Sequence, residues 1–273
     1  MEIDVVLEVE PGDPQIAIDF LVANINLSKS RLKDLMNKGG VWRVSHDGTR
    51  QRLRRAMSDI LVGEQIEIFY DEALLSLKPM RPQLVDDFIE YSIWNKPYGM
   101  PLVGNDWGDF NALERILEQH LQPERDIFWL SSFDYEAAGL ILIAHTRKAA
   151  ATLSSQFDPA GFNGAEVCYR CDVVGDFLLD GEIELDVDGE PAISMASKVR
   201  YDERPDRSVV DVWPKTGRLQ QVRKQLSDLE YPVVGDEDFG LAQDENELLR
   251  MKIIELKFKC PVSGKNQHIS LMK

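Results

Sequence analysis

Residues 131–146 read SSFDYEAAGLILIAHT. The second half, Gly139 to Ala144, is a continuous apolar run of strand length and reads as a buried strand. Just ahead of it stands Asp134, flanked by Ser132, Phe133 and Tyr135, with no basic neighbour. A carboxylate at the mouth of a core strand is costly if buried and ionised. It must be solvated, hydrogen-bonded or paired with a cation from elsewhere in the chain. An ordinary turn residue meets the first condition; a functional carboxylate is the other reason to tolerate the cost.

Outward from that strand, extended and helical patterns alternate. Strands fit YSIWNKP, EVCYRCDVVG, SMASKVRY, RSVVDVWP and MKIIELKFKCP; helices fit FNALERILEQHL, RKAAATLSSQF and GRLQQVRKQLSDL. Many strands with a few long helices between them imply an α+β fold with a mixed, mostly antiparallel sheet. Upstream, Ile16, Phe20 and Leu21, then Leu32, Leu35 and Met36, recur at helical spacing. Ser28 or Ser30 suits the cap of the second helix and Gly39-Gly40 its stop. Strands fit the acidic, alternating N-terminus, Val41–Val44 and Gln65–Tyr70, with a turn at His46-Asp47-Gly48. We therefore expect a small α/β domain over 1–75, a linker over 76–90 with its two close prolines, and a larger domain over 91–273.

The chain of 273 residues carries a net charge of −16, which argues against indiscriminate coating of polyanions. The charge is uneven. Between Ser28 and Arg55 nine cations (Lys29, Arg31, Lys33, Lys38, Arg43, Arg50, Arg52, Arg54 and Arg55) face two anions, Asp34 and Asp47. Such a concentration is the electrostatic footprint of phosphate contacts; a solvated helix and hairpin is the plainer alternative. The N-terminus lacks the basic start and unbroken apolar core of a secretion signal, and no run is long enough to span a bilayer. Cys168, Cys171 and Cys260 are too few for a disulfide framework, and Cys168 and Cys171, three apart in a strand, point to opposite faces. Free thiols in a reducing cytosol fit best. The expectation from these features is a cytoplasmic monomer with a phosphate-contacting face that does not engage a membrane.

Two further residues stand out. On a helical wheel Leu219, Val222, Leu226 and Leu229 form an apolar stripe, which places Arg223 at its border, where a guanidinium seeks a carboxylate. Gln220 lies one turn back on the same side. A cation snorkelling from a helix is the alternative for Arg223, and a core residue with its hydroxyl at a rim is the alternative for Tyr169. Glu136 shares a face with Asp134 only if that segment is extended, which would leave a carboxylate-pair hydrolase open.

Two resemblances organise these residues. IDFLVANINLSKSRLKDLMNKGGVWRV, with LVGEQIEIF, resembles the alpha-L RNA-binding motif, with Ser28-Lys29-Ser30 and Gly63-Glu64 in the places of its Ser-Arg-Ser turn and Gly-Asp pair. From Asn95 onward the chain resembles the RluA/RsuA-type pseudouridine synthases, most like the RluA branch. Asn95 to Gly99 matches Asn-Lys-Pro-x-Gly, and Ser131 to Leu140 aligns with His-Arg-Leu-Asp-Arg-x-Thr-Ser-Gly-Leu. Thr216 to Arg223 aligns with Thr-Gly-Arg-Thr-His-Gln-Ile-Arg, YPVVGDEDFG with Pro-Ile-x-Gly-Asp-x-x-Tyr-Gly, and Pro261 to Gly264 with the closing Pro-Val-Thr-Gly. The resemblance implies that Asp134 is the nucleophile, that Tyr169 stacks on a flipped uracil and assists proton removal, and that Arg223 pairs with Asp134. It also implies RNA as the partner, contacted by Lys29, Arg31, Lys33, Lys96, Arg218 and Gln220, and chemistry that needs no metal or small-molecule cofactor. The expected activity is isomerisation of uridines in structured rRNA or tRNA. The chain departs from the pattern at Ser131, Ser132, Tyr135, Ala137-Ala138, Cys168 and Gln220. The lost cations motivate a second reading, a catalytically degenerate RNA-binding protein on the same scaffold.

Overall fold

The computed structural model describes residues 1–241 and 247–272. Backbone contacts divide the chain into two compact units, Met1–Met80 with Pro101–Leu121, and Arg81–Met100 with Gln122–Lys273.

In the first unit, strands β1 (Glu2–Glu8), β2 (Val41–Val44), β3 (Arg50–Arg52) and β4 (Gln65–Asp71) form a sheet in the order β1-β4-β2-β3. Helices α1 (Ala17–Asn24) and α2 (Lys29–Lys38) bury Phe20, Leu21, Leu32, Leu35 and Met36 with Ile66 and Ile68 of β4. The Ser28 hydroxyl accepts from the Arg31 N–H at 3.3 Å and caps α2, a contact worth about 1 kcal/mol. Gly39 ends the helix at φ 89°, a conformation that penalises any Cβ. The short helix α3 (Glu72–Ser76) follows β4. The stretch 101–121, with helix α4 (Leu113–His120), packs in this unit.

The second unit is built on a mixed, mostly antiparallel sheet of nine described strands: β5 (Gln83–Asp87), β6 (Tyr91–Lys96), β7 (Ala138–Ala144), β8 (Glu166–Val174), β9 (Gly181–Glu184), β10 (Ile193–Glu203), β11 (Asp206–Pro214), β12 (Met251–Lys259) and β13 (Asn266–Ser270). The order is β5-β6-β7-β12-β8-β11-β10-β9, with β13 paired to β12. Helices α5 (Arg147–Ser154) and α6 (Gln221–Asp228) complete it. The stretch 76–90, expected as a linker, therefore contains strand β5. Strand β7 is buried along its whole length, antiparallel to β6 and parallel to β12. A strand covered on both faces needs no polar alternation, which is why it reads as an unbroken apolar run. Gly139 sits there at φ 85°, and a Cβ would fall 2.1 Å from the Ile253 carbonyl oxygen of β12. Only glycine lets the two strands approach at that point.

Candidate active site

The loop before β7 delivers Asp134, and its neighbours hold it still. Phe133 is buried in the core against Phe157, with ring centroids 4.9 Å apart. The Ser132 hydroxyl donates to the Phe157 carbonyl, and the Tyr135 hydroxyl donates to the Leu130 carbonyl. Ser132 and Tyr135, which stand where motif cations were expected, are thus local struts. Ala137 and Ala138 are buried at the start of β7.

Strand β8 brings up Tyr169, whose hydroxyl oxygen accepts from the Asp134 backbone N–H at 3.2 Å. Tyr169 is 2% exposed. Burial, reinforced by the charge of Asp134, pushes its hydroxyl well above the usual tyrosine range, so it stays protonated.

Helix α6 supplies Arg223. A buried amide network fixes the helix: Gln221 Oε1 accepts from the Thr216 hydroxyl at 2.8 Å, and the Ser194 hydroxyl donates to Gln225 at 2.7 Å. Arg223 is 1% exposed, so it lies inside rather than at the border of the buried face. The wheel missed this because it shows only the helix's own stripe. The other side of Arg223 is covered by the segment after α6, which is tied to β8 through Val174 N–H to Pro232 O and Val234 N–H to Asp172 O. Two more details of the expected helix change. It starts at Gln221, because Gln220 is in the left-handed region at φ 56°. Leu219 precedes it and is 66% exposed, so it belongs to no buried stripe.

Four carboxylates surround the Arg223 guanidinium. Asp236 takes it with two parallel bonds, Nε to Oδ2 at 2.7 Å and Nη2 to Oδ1 at 2.5 Å. Asp238 accepts from Nη2 at 3.1 Å, and Glu136 accepts from Nη1. Asp134 Oδ2 lies 3.9 Å from the same Nη1, within ion-pair reach but beyond a hydrogen bond. Burial works against the Arg223 charge, but the Asp236 hydrogen bonds and the surrounding carboxylates more than offset it and raise its pKa.

Asp134 is consequently a carboxylate in an unusual state. Its side chain is 8% exposed. Oδ1 accepts from the Glu136 N–H at 3.1 Å, while Oδ2 has no hydrogen-bond partner among the described residues. Burial pushes its pKa up to about 6 against the pull of Arg223, and Glu136 and Asp236 add to the rise. The acid of the opening stretch does have a distant partner, held at arm's length.

The remaining expected contacts separate. Lys96, on β6, is 2% exposed rather than on an accessible face, and its Nζ donates to the Met100 carbonyl at 2.8 Å. Burial lowers its pKa to about 8, opposed by the charges of Asp134 and Glu136. Arg218 Nε donates to Pro191 O at 3.2 Å, and Gln220 Nε2 reaches Asp238 at 3.4 Å. In the first unit Lys29 pairs with Asp19 and Arg31 with Glu72, each at 2.9 Å. Lys38 pairs with Asp34, Arg43 with Glu64, Arg50 with Glu67 and Asp106, and both Arg52 and Arg54 with Asp109. Of the nine cations only Lys33 and Arg55 have no ion pair among the described residues. Most anions that neutralise the others lie outside the 28–55 window, which is why the local count overstated the patch. Over the whole unit 17 acidic side chains outnumber 11 basic ones.

The three cysteines are free and buried. Among the described residues no three His, Cys, Asp or Glu side chains are placed to hold a metal, and no helix is long and apolar enough to cross a membrane.

The mixed sheet thus presents a buried aspartate beside a tyrosine and a helix-borne arginine. Residues 90–228 match the model of the RNA pseudouridylate synthase family, and the chain is a member of that family. It is 27% identical over 197 residues to the dual-specificity RNA pseudouridine synthase RluA of Vibrio parahaemolyticus, covering 62% of this chain and 74% of that protein. It is 25% identical over 274 residues to the ribosomal large subunit pseudouridine synthase C of Vibrio cholerae, covering 89% and 84%. Human RNA pseudouridylate synthase domain containing 1 shares the fold, with a TM-score of 0.54 at 16% identity over 72% of this chain and 86% of that one. The resemblance read from the ordered motifs is borne out at the level of the family.

Proposed function

We propose that the protein isomerises particular uridines in structured RNA, rRNA or tRNA, with Asp134 as the nucleophile, Arg223 as its counter-charge and Tyr169 beside it. The observation that carries this reading is the Asp134 carboxyl, 8% exposed and 3.9 Å from Arg223 Nη1. A target base inside a helix or structured loop is out of reach, so the uridine is flipped out of its stack. The Asp134 carboxylate then attacks, and the N1–C1′ glycosidic bond breaks. Uracil turns, C5 bonds to C1′ as the Asp134 carboxylate is released from it, the C5 proton leaves and N1, which carries none in uridine, gains one, so atoms balance with no oxidant or reductant. A carboxylate with a pKa of about 6 is largely ionised at neutral pH and is a stronger base than an ordinary aspartate. The Tyr169 hydroxyl accepts from the Asp134 N–H and, being protonated, is proposed to position the uracil rather than to accept the C5 proton itself.

Lys29, Arg31 and Lys33 lie exposed on α2, in the segment that resembles the alpha-L motif, and are proposed as phosphate contacts. Arg218 and Gln220 are proposed to act on RNA from the segment that leads into α6. Lys96, being buried, is proposed to act on the charge balance around Asp134 instead. Carbodiimide mapping of cellular RNA with and without the gene tests the activity. Loss of at least one pseudouridine without the gene, restored by wild type but not by Asp134→Asn, is expected. No change at any uridine, with no conversion by purified protein, would favour the non-catalytic RNA-binding reading.

A further inference from the structure

Leu219 is exposed against its own pattern. It continues the apolar stripe of Val222, Leu226 and Leu229 at helical spacing, so a helix extended backwards through it would turn it toward the core. Instead Gln220 stands in the left-handed region at φ 56°, α6 starts at Gln221, and Leu219 is left 66% exposed. A lone exposed leucine needs no explanation. A leucine taken out of a buried stripe by a non-glycine residue in a costly conformation points to a task at that place.

The turn that carries Leu219 is held firmly and borders the Asp134 site. Gly217 N–H donates to Pro159 O at 2.9 Å, and Arg218 N–H donates to Gln221 Oε1 at 3.1 Å. On one side of Leu219, Gly217 lies against the loop of Asp134, where a Cβ would fall 2.8 Å from Ser132 Cβ. On the other side Gln220 Nε2 reaches Asp238, whose carboxylate accepts from Arg223. Arg223 in turn faces Asp134 at 3.9 Å. Glu136 and Asp238, both exposed beside Arg223, repel phosphate. An uncharged apolar side chain at the same rim suits the faces of bases instead.

We propose that Leu219 is a wedge, which enters the RNA base stack at the place the target uridine leaves and so holds that uridine out beside Asp134. Apolar side chains, leucine among them, unstack base steps by insertion. A flipped base leaves a gap walled by the faces of its neighbours; an inserted leucine covers those faces and obstructs the base's return. A firmly held turn suits this role, because little freedom is lost when the tip goes in. The proposal rests on the reading of the protein as a uridine isomerase.

The test uses a folded transcript of the RNA region in which carbodiimide mapping places the modified uridine. Tritium release from uridine C5 gives the rate. A second transcript carries 2-aminopurine beside the target, whose fluorescence rises when the stack opens. Leu219→Ala is expected to lose about tenfold or more in kcat/KM and most of the fluorescence rise at saturating protein. Leu219→Met, about as long and apolar, should keep the fluorescence rise and stay within about threefold of the wild-type rate. The melting temperature and the pH titration of the Asp134 carboxyl, followed by carbon-13 NMR, should not move in either variant. A wild-type rate for Leu219→Ala, a slow Leu219→Ala with its fluorescence rise intact, an equal loss in Leu219→Met, or a shifted Asp134 titration would each overturn the wedge and leave the isomerase reading standing. Wild-type protein that forms no pseudouridine in any RNA would overturn that reading, and the wedge with it.

Discussion

The two units use charge in opposite ways. In the first, seven of the nine cations between Ser28 and Arg55 are each met by a carboxylate, from exposed pairs at Lys29 and Arg31 to half-buried ones at Arg52 and Arg54. In the second, a single guanidinium, 1% exposed, collects Asp134, Glu136, Asp236 and Asp238. Exposed pairs in high dielectric contribute little to stability and leave their members free to exchange partners. One buried guanidinium shared by four carboxylates, two buried and two exposed, does something else. It leaves one acid incompletely paired, out of water and with its pKa raised, which is the state a nucleophile requires. On the proposed function, the same residue types would serve surface recognition in one unit and reactivity in the other.

The sharpest way to break this contrast is Arg223→Met. It strands Asp236, whose side chain has no exposure, and is expected to cost about 3–5 kcal/mol in urea denaturation and to abolish activity. Arg223→Lys should rescue little, since a point charge cannot form the two parallel bonds to Asp236.

Next comes Asp134→Asn, which should abolish activity while stabilising the fold. A carboxyl whose folded pKa lies above its unfolded value favours the protonated native state. Its contribution to stability is present below the unfolded pKa of about 4 and is lost as pH rises through about 6. The asparagine variant escapes that loss, so it should match wild type near pH 4 and exceed it by about 2–3 kcal/mol at pH 8. Wild-type activity should correspondingly fall as pH drops below about 6.

A smaller effect is expected at Asp109, which serves both Arg52 and Arg54 with 11% exposure. Asp109→Asn should cost about 1–2 kcal/mol by thermal melting. Lys29→Ala, at an exposed pair with Asp19, should change stability by less than about 0.5 kcal/mol. Finally, Lys33→Ala with Arg55→Ala should flatten the plot of log RNA affinity against log salt by about 1–2 slope units. A much larger flattening would mean that the paired cations act as free ones.

Much of the fold was legible in the sequence because local and tertiary demands agree. Ser28 and Gly39 bound α2 by capping chemistry, and the unbroken apolar run of β7 announces burial on both faces. Strands β5, β9 and β13 were not legible. They are short and rich in polar residues, and nothing local distinguishes such a segment from loop until a partner strand is known. The same holds at the site. Asp134 and Arg223 stand in ordered motifs and Tyr169 in a readable strand, and the structure brings the three together. The bidentate hold of Asp236 was hidden inside YPVVGDEDFG, where a glycine at φ 73° and a tie to β8 aim the carboxylate at α6. Glu136 could be read only as a neighbour of Asp134, and its grip on Arg223 is a tertiary fact. The net charge of the basic patch was overstated for the converse reason, since most of its neutralising anions lie outside residues 28–55.

The most direct test of the central claim is tritium release from RNA labelled at uridine C5, because forming a C5–C1′ bond expels that hydrogen. Wild-type protein should release tritium from cellular RNA transcripts at neutral pH, and Asp134→Asn, folded and at least as stable, should release none. Release by the asparagine variant at the wild-type rate, or none by either protein with RNA from cells lacking the gene, would contradict it.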